Sequence, residues 1–178
     1  MRRIWAALAV AVAVAGQVGA GELAPRWQAI GQIEVEIGGE TRVLVISHDR
    51  ENDSSEAEQR MIMGSFLTIN AVGRTVSAEG KPGSPMVQVT VQGKNGAFDL
   101  LSVEMFDEQG FDAPMVIGPD GGQGALTALS FENDHLDAAI TGAFQRLTGY
   151  SKGDPAPAEG VAPVPVTIRL SVDVPPLK

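Results

Sequence analysis

The chain has 178 residues, no cysteine, and 22 acidic against 13 basic side chains, which gives a formal net charge of −9 at pH 7. This charge argues against nucleic acid and anionic membranes as partners, because clustered Lys and Arg bind phosphate groups. Without cysteine the fold has no disulfide and no thiolate nucleophile, so its stability must come from a hydrophobic core.

Residues 1–20, MRRIWAALAVAVAVAGQVGA, have the form of a secretory signal peptide. Two arginines precede an apolar run, and Val18-Gly19-Ala20 offers small or modest side chains where a signal peptidase would cut. The run is too short for a membrane span, which needs about 20 residues, and no later run approaches that length. We therefore expect a periplasmic or secreted mature protein, residues 21–178, with 11 basic and 22 acidic side chains.

The first half of the mature chain alternates apolar and polar residues with the period of a β-strand. Residues 32–37 and 41–46 alternate in this way on either side of Gly38-Gly39, which predicts a hairpin. Residues 86–106 repeat the pattern around Asn95-Gly96, which predicts a second hairpin.

The second half continues the same pattern. Residues 124–144 predict a third hairpin, with Glu132 to His135 as its turn, and residues 113–118 predict a short strand. The last strand, VPVTIRLSVDV, has the longest alternation in the chain and ends before Pro175-Pro176. Its expected inward residues are Val164, Val166, Ile168, Leu170, Val172 and Val174.

Residues 46–85 give weaker signals. Ser55 and Glu58 have capping-box spacing, and the residues around them favour helix, so one or two helical turns are expected over 55–60. Residues 61–69, MIMGSFLTI, predict a strand. Residues 70–85, like residues 148–163 further on, are expected to form long loops.

These elements predict an all-β fold. Roughly eight or nine short strands separated by turns are typical of a single antiparallel β-sandwich or barrel-like domain over residues 21–178, after removal of the signal peptide. The closing segments, LSF, a turn, LDAAITGAF, and an alternating strand ending in VDVP, cover about 50 residues. They resemble the last strands of uncharacterised secreted or periplasmic β-sandwich proteins of Gram-negative bacteria. That resemblance implies a sandwich and no catalytic residue.

An acidic stretch, HDRENDSSEAE, contains the carboxylates Asp49, Glu51 and Asp53, which are the kind of oxygen ligands that calcium prefers. An EF-hand loop counted from Asp49 would need glycine at position 54 and a carboxylate at position 60, where Ser54 and Arg60 stand. A solvated connection explains the stretch better, with these carboxylates as a possible metal site.

His48 and His135 are the two histidines of the chain. His135 follows Asp134 and shares strand parity with Asp137, so both partners are candidates to orient its imidazole in catalysis. No Gly-x-Ser-x-Gly motif supplies a nucleophile, and no zinc spacing motif is present. A surface histidine in a turn is therefore the preferred interpretation, with a zinc site around both histidines as an alternative.

Two further patterns favour structural roles. Met61 and Met63 are two residues apart on the expected strand, and core packing explains them better than copper binding. The run GPDGGQG, Gly118 to Gly124, lacks the strand and helix of a nucleotide-binding loop and predicts a β-turn.

Two functional hypotheses remain, and the sequence has no cofactor-binding motif that would point to a cofactor in either. The first is an exported non-enzymatic module that binds a protein, glycan or small ligand through its long loops. The second is a small hydrolase or metal-dependent enzyme whose site assembles around His135, with Asp137 and Asp134 as partners.

Overall fold

Antiparallel strands make up most of the structure, a computed structural model that describes residues 21–177. The signal-peptide prediction concerns residues 1–20, which lie outside the described residues. A single 3-10 turn, Tyr150–Lys152, accompanies the strands in this part of the chain. The strands are β1 (Trp27–Ile37), β2 (Glu40–Asp49), β3 (Ser54–Ser55), β4 (Ala57–Ile62), β5 (Phe66–Val76), β6 (Pro82–Lys94), β7 (Ala97–Phe106), β8 (Met115–Ile117), β9 (Gly124–Glu132), β10 (His135–Thr148), β11 (Ala156–Pro157) and β12 (Val164–Asp173).

The sheet closes into an antiparallel barrel of eight strands, in the order β2, β1, β12, β10, β8, β7, β6 and β5. It closes where Val45 of β2 pairs with Arg74 of β5. The all-β prediction is confirmed, and the closed barrel replaces the sandwich as the architecture. Closure leaves the eight principal strands with a hydrogen-bonded neighbour on both sides over at least part of their length.

The barrel interior is filled by the inward side chains of these strands. Ile168 and Val172 of β12 are fully buried, as the alternation of the last strand predicts, and Val166, Leu170 and Val174 are buried with them. The two glycine-containing hairpin turns are also confirmed: Gly38 and Gly39 have φ of 61° and 81°, and Asn95 and Gly96 have 54° and 83°.

One barrel strand is interrupted. Both β8 and β9 pair with β10: β8 pairs at Gln145, and β9 pairs up to Gly142. The two strands therefore follow one another along the same side of β10, and residues 118–123 leave the sheet between them. The excursion is a tight turn in which the Gly121 N–H donates to the Gly118 oxygen at 3.0 Å. The β-turn interpretation of this run is therefore confirmed.

The helix expected over residues 55–60 is wrong, because this segment is extended. It pairs first with β2, where His48 lies opposite Ser55, and then with β5, where Ala57 lies opposite Ala71. The side chain of Glu56 lies between these two pairings and accepts hydrogen bonds from Arg74 Nε and from Ser47 Oγ. Pairing with two neighbours outweighs the local helical propensity of a segment this short.

The single strand expected over residues 61–69 is also wrong. The chain reverses at Met63 and Gly64, whose φ angles are 50° and 65°, and the Ser65 N–H donates to the Ile62 oxygen at 3.1 Å. Because Met63 is 90% exposed and Met61 is 48% exposed, the core-packing interpretation of the two methionines is corrected as well.

The long loop expected over residues 70–85 is replaced by the end of β5, a five-residue connection and the start of β6. Gly73 lies within β5, where a Cβ would be 3.0 Å from the Leu44 Cβ, so the close approach of β2 favours glycine at this position. Residues 148–163 are mostly irregular, as expected, apart from the 3-10 turn and the two residues of β11.

Candidate functional site

His135 lies at the start of β10 on the outer face of the barrel wall, beside three polar side chains. Its Nδ1 is 2.6 Å from Asp173 Oδ1, and its Nε2 is 3.4 Å from Asp137 Oδ2 and 3.3 Å from Ser171 Oγ. The register explains the cluster, because His135 is opposite Asp173 and Asp137 is opposite Ser171 across β10 and β12. We call these four residues the His135 cluster.

The carboxylates of Asp137 and Asp173 favour the protonated form of the His135 imidazole. The hydrogen bond with Asp173, together with the negative charges of Asp137 and Asp173, raises the pKa of His135 above its ordinary value of 6.5, against a smaller opposing effect of burial. The arrangement therefore favours the imidazolium form, in which both ring nitrogens carry protons directed at carboxylates.

Asp134, the other sequence candidate, lies outside this cluster. It is in the turn between β9 and β10 with φ of 61°, and its Oδ1 accepts a hydrogen bond from Gln59 Nε2 at 2.8 Å. In the sequence, Ser171 and Asp173 are only polar residues that alternate with the inward residues of the last strand. Their approach to His135 depends on the β10–β12 register, for which the sequence has no local signal.

An open groove of about 460 Å³ adjoins the His135 cluster on the same outer face. Asp137 and Ser171 belong to both features, and we call this cavity the outer groove. Small side chains such as Ala128, Ala139 and Ser130 line it, together with Arg169 and Glu34, which form an ion pair at 3.7 Å. The lining of the outer groove thus combines small apolar side chains with charged and hydroxyl groups.

Asp49 is not the solvated loop residue that the sequence indicated. It is buried, and Arg26 Nε donates to its Oδ1 at 2.9 Å while Asn52 Nδ2 donates to its Oδ2 at 2.8 Å. The hydrogen bond from Arg26 lowers its pKa well below the usual range, with smaller contributions from Asn52 and from backbone N–H groups. Its carboxylate oxygens are therefore occupied by protein donors.

Of the other two members of the acidic stretch, Glu51 contacts the same arginine as Asp49, and Asp53 contacts a histidine. Glu51 Oε2 is 3.1 Å from Arg26 Nη1, and Asp53 Oδ1 is 3.6 Å from His48 Nε2. Within residues 21–177, no three His, Cys, Asp or Glu side chains are grouped closely enough to hold a metal ion. Nor do the two histidines share a partner, because β1 and β12 separate the strand of His48 from the strand of His135.

A cavity larger than the outer groove lies where β4 separates from β2. We call it the β4 cleft: it has a volume of about 830 Å³ and is lined by β4, by residues 53–55 with His48, and by Pro175, Pro176 and Leu177. Three of its apolar side chains, Met61, Ile62 and Leu177, are exposed. No sequence signal indicated this cleft, because its strand was expected to be a helix.

No helix among residues 21–177 is long and apolar enough to cross a membrane. Comparisons with protein-family models, with curated protein sequences and with solved structures found no match.

Proposed function

We propose that the mature chain is an exported, non-enzymatic binding module that holds a small polar ligand in the outer groove. The observation that carries the proposal is the groove itself, about 460 Å³ of open space whose lining includes Glu34, Asp137 and Arg169. Cavities of this size are common among small-molecule sites, which range from about 300 to 1,000 Å³. The signal peptide predicted over residues 1–20 supports a periplasmic or secreted location.

Charged and hydroxyl side chains in the lining of the outer groove supply the chemistry for a polar ligand. Arg169 presents hydrogen-bond donors, Asp137 presents acceptors, and the hydroxyls of Ser130 and Ser171 can do either. Arg169 is held only by a 3.7 Å contact with Glu34, so a ligand carboxylate or hydroxyl can compete for its guanidinium.

Ser171, His135 and Asp173 support a second candidate, a serine hydrolase, because they are linked in the order of a catalytic triad. Two features favour the binding module instead. The Nε2 atom that would accept the serine proton also faces Asp137 at 3.4 Å, which stabilises a proton on that nitrogen. Ser171 lies within β12, which pairs with both β1 and β10, so neighbouring backbone N–H groups serve the sheet and not an oxyanion hole.

A thermal-shift screen of the mature protein against small carboxylic acids, polyols and saccharides tests the binding proposal, because a ligand of the folded state raises Tm. Arg169→Ala should abolish any shift, and Ala139→Trp should do the same by filling the groove. Arg42→Ala is the matched control, since Arg42 is an arginine in a 3.6 Å ion pair with Glu40 and is not among the residues that line the groove. Equal shifts in all three variants would place the ligand elsewhere.

A fluorophosphonate probe tests the hydrolase candidate. A catalytic serine would be labelled in the natural protein and protected in both Ser171→Ala and His135→Gln. We expect no labelling at Ser171, and stoichiometric modification at that residue, read by peptide mass spectrometry, would replace the binding module with the hydrolase.

A further inference from the structure

Strand β4 has a hydrogen-bonded neighbour on one side only. It pairs with β5 along its whole length, from Ala57 opposite Ala71 to Ile62 opposite Phe66. On its other side β3 and β2 diverge from it, and no strand of residues 21–177 pairs with that edge. The edge faces the β4 cleft, which all six residues of β4 line.

Alternate residues of an antiparallel strand direct their backbone groups to opposite sides. The Val72 N–H donates to the Glu56 oxygen at 2.8 Å, so Glu58 and Arg60, which have the same parity, bond towards β5. The residues between them direct their N–H and C=O groups into the cleft. The Ala57 N–H agrees with this alternation, because it points away from β5 and donates to Ser55 Oγ at 3.1 Å.

Residues 175–177 line the cleft and form no strand pair with this edge. Gln59 Nε2 donates to the Pro175 oxygen at 2.9 Å, which holds the segment at a side-chain distance from β4. Pro175 and Pro176 have no N–H to donate to a strand. The backbone groups of Gln59 and Met61 are therefore left for another extended chain.

The surroundings of the edge indicate what such a chain would carry. Met61 and Ile62 project from the two faces of β4 and are about half exposed, so an added strand can cover them with apolar side chains. Asp53 and Glu58 line the cleft, Arg60 is paired with Glu58 at 2.8 Å, and the mature chain is strongly acidic. Basic residues at the ends of the added chain match these charges.

We propose that the β4 cleft binds an extended segment of a partner protein by strand addition, with apolar residues in its middle and basic residues at its ends. Its backbone pairs with Gln59 and Met61, and its side chains pack on Met61, Ile62 and Leu177. Backbone pairing supplies the affinity in this mode of recognition, and the flanking side chains select the sequence. This surface is distinct from the outer groove, so either proposal can fail without the other.

The experiment uses the mature protein labelled with ¹⁵N and a fluorescent seven-residue peptide, KVTVTVK, as the probe. We expect saturable binding by fluorescence anisotropy, with the largest amide shift changes at Gln59 and Met61. An EVTVTVE peptide should bind more weakly, and a KVTVTVK peptide with N-methylated internal residues should lose binding, because it has no N–H groups to pair with the edge. Absence of binding at about 1 mM KVTVTVK, or shift changes confined to other strands, would overturn the proposal.

Two substitutions at one position separate the backbone contribution from the side chain. Met61→Ala keeps the N–H and should weaken KVTVTVK binding only slightly, whereas Met61→Pro removes the N–H and should weaken it about tenfold or more, as expected for the loss of backbone pairing. Proline is tolerated where an edge N–H faces outward, so the variant should keep a cooperative melt. Equal affinities of the two folded variants would contradict the proposal. If Met61→Pro does not fold, the N-methylated peptide decides the same question, because full binding by that peptide would reject strand addition.

Discussion

Strand β12 and the segment 54–62 show two ways in which this chain forms extended structure. β12 is paired along its length with β1 and β10, and its inward residues are buried by both neighbours. The segment 54–62 pairs with β2 at its beginning, changes to β5 at Glu56, and leaves one edge unpaired. A strand that is paired on both sides can be predicted from its own alternation of apolar and polar residues. The extended structure of segment 54–62, which pairs first with β2 and then with β5, depends instead on those neighbours.

The largest expected difference between the two regions is the loss of stability when one apolar side chain is truncated in each. Ile168→Ala should lower the free energy of unfolding by about 2–5 kcal/mol, because Ile168 is fully buried and the side chain leaves a cavity. Met61→Ala should change it by less than about 0.5 kcal/mol, because Met61 is 48% exposed. Urea unfolding of the two variants measures both values. Similar losses would show that side-chain packing in the segment 54–62 stabilises the fold as much as packing in β12 does.

The part of the fold that could be predicted from sequence is the part where local signals agree with the pairing. The hairpins at Gly38-Gly39 and Asn95-Gly96 have turn residues that fix the reversal and alternation that fixes the faces. Around residues 54–62, local signals and pairing disagree: Ser55 and Glu58 resemble a helix cap, but Ser55 is opposite His48 in a strand pair. The choice between barrel and sandwich depends on the contact of Val45 with Arg74, 29 residues apart, which no local pattern encodes.

A glycine substitution tests how closely the strands around β12 are packed. Gly142→Ala on β10 should cost about 1–3 kcal/mol, because its Cβ would be 2.5 Å from the Gln123 oxygen and 2.7 Å from the Gly124 Cα. Gly83→Ala on β6 is the control, since the nearest atom to its Cβ would be the Thr75 oxygen at 4.0 Å. The control should stay within about 0.5 kcal/mol of the natural protein. If the two variants have equal stability, the backbones near Gly142 adjust without strain.

Substitution of Asp49 tests whether the turn at residues 50–53 contributes to the stability of the fold. Asp49→Asn should lower Tm by about 2–4 °C at pH 7, because the buried charge pair with Arg26 is lost. Since the folded pKa of Asp49 is lowered, the unfolded state binds more protons as the pH falls below 3.8. The stabilisation is therefore complete above that pH and is lost progressively in acid. Glu51→Gln, at a more exposed contact of the same arginine, should have little effect. A Tm of Asp49→Asn equal to that of the natural protein between pH 3 and pH 7 would restore the solvated interpretation.

As for the fold, local sequence patterns predicted some contacts of the candidate sites and missed those that depend on strand pairing. Strand parity placed His135 and Asp137 on one face, and the 3.4 Å contact between them agrees with that expectation. Ser171 and Asp173 could not be connected with His135, because a shift of the register by one residue would have turned them away. Asp49, Glu51 and Asp53 were grouped because they are close in sequence, but the first two contact Arg26 and the third contacts His48, so they do not converge on one site.

The smallest expected effect concerns His135, on the outer face of the regular region. Titration of the imidazole followed by NMR should give a pKa above 6.5 in the natural protein and a lower value in Asp173→Asn, because Asp173 makes the hydrogen bond that favours the imidazolium. A raised folded pKa adds stability that is complete below pH 6.5 and is lost as the pH rises through the folded value. Because the side chain is 41% exposed, this contribution should be well under about 1 kcal/mol. Asp134→Asn is the matched control, since Asp134 bonds Gln59 instead of the imidazole and should leave the titration unchanged. An unaltered pKa in Asp173→Asn would show that Asp173 does not hold the imidazole in solution, and the triad order on which the hydrolase candidate rests would be lost with it.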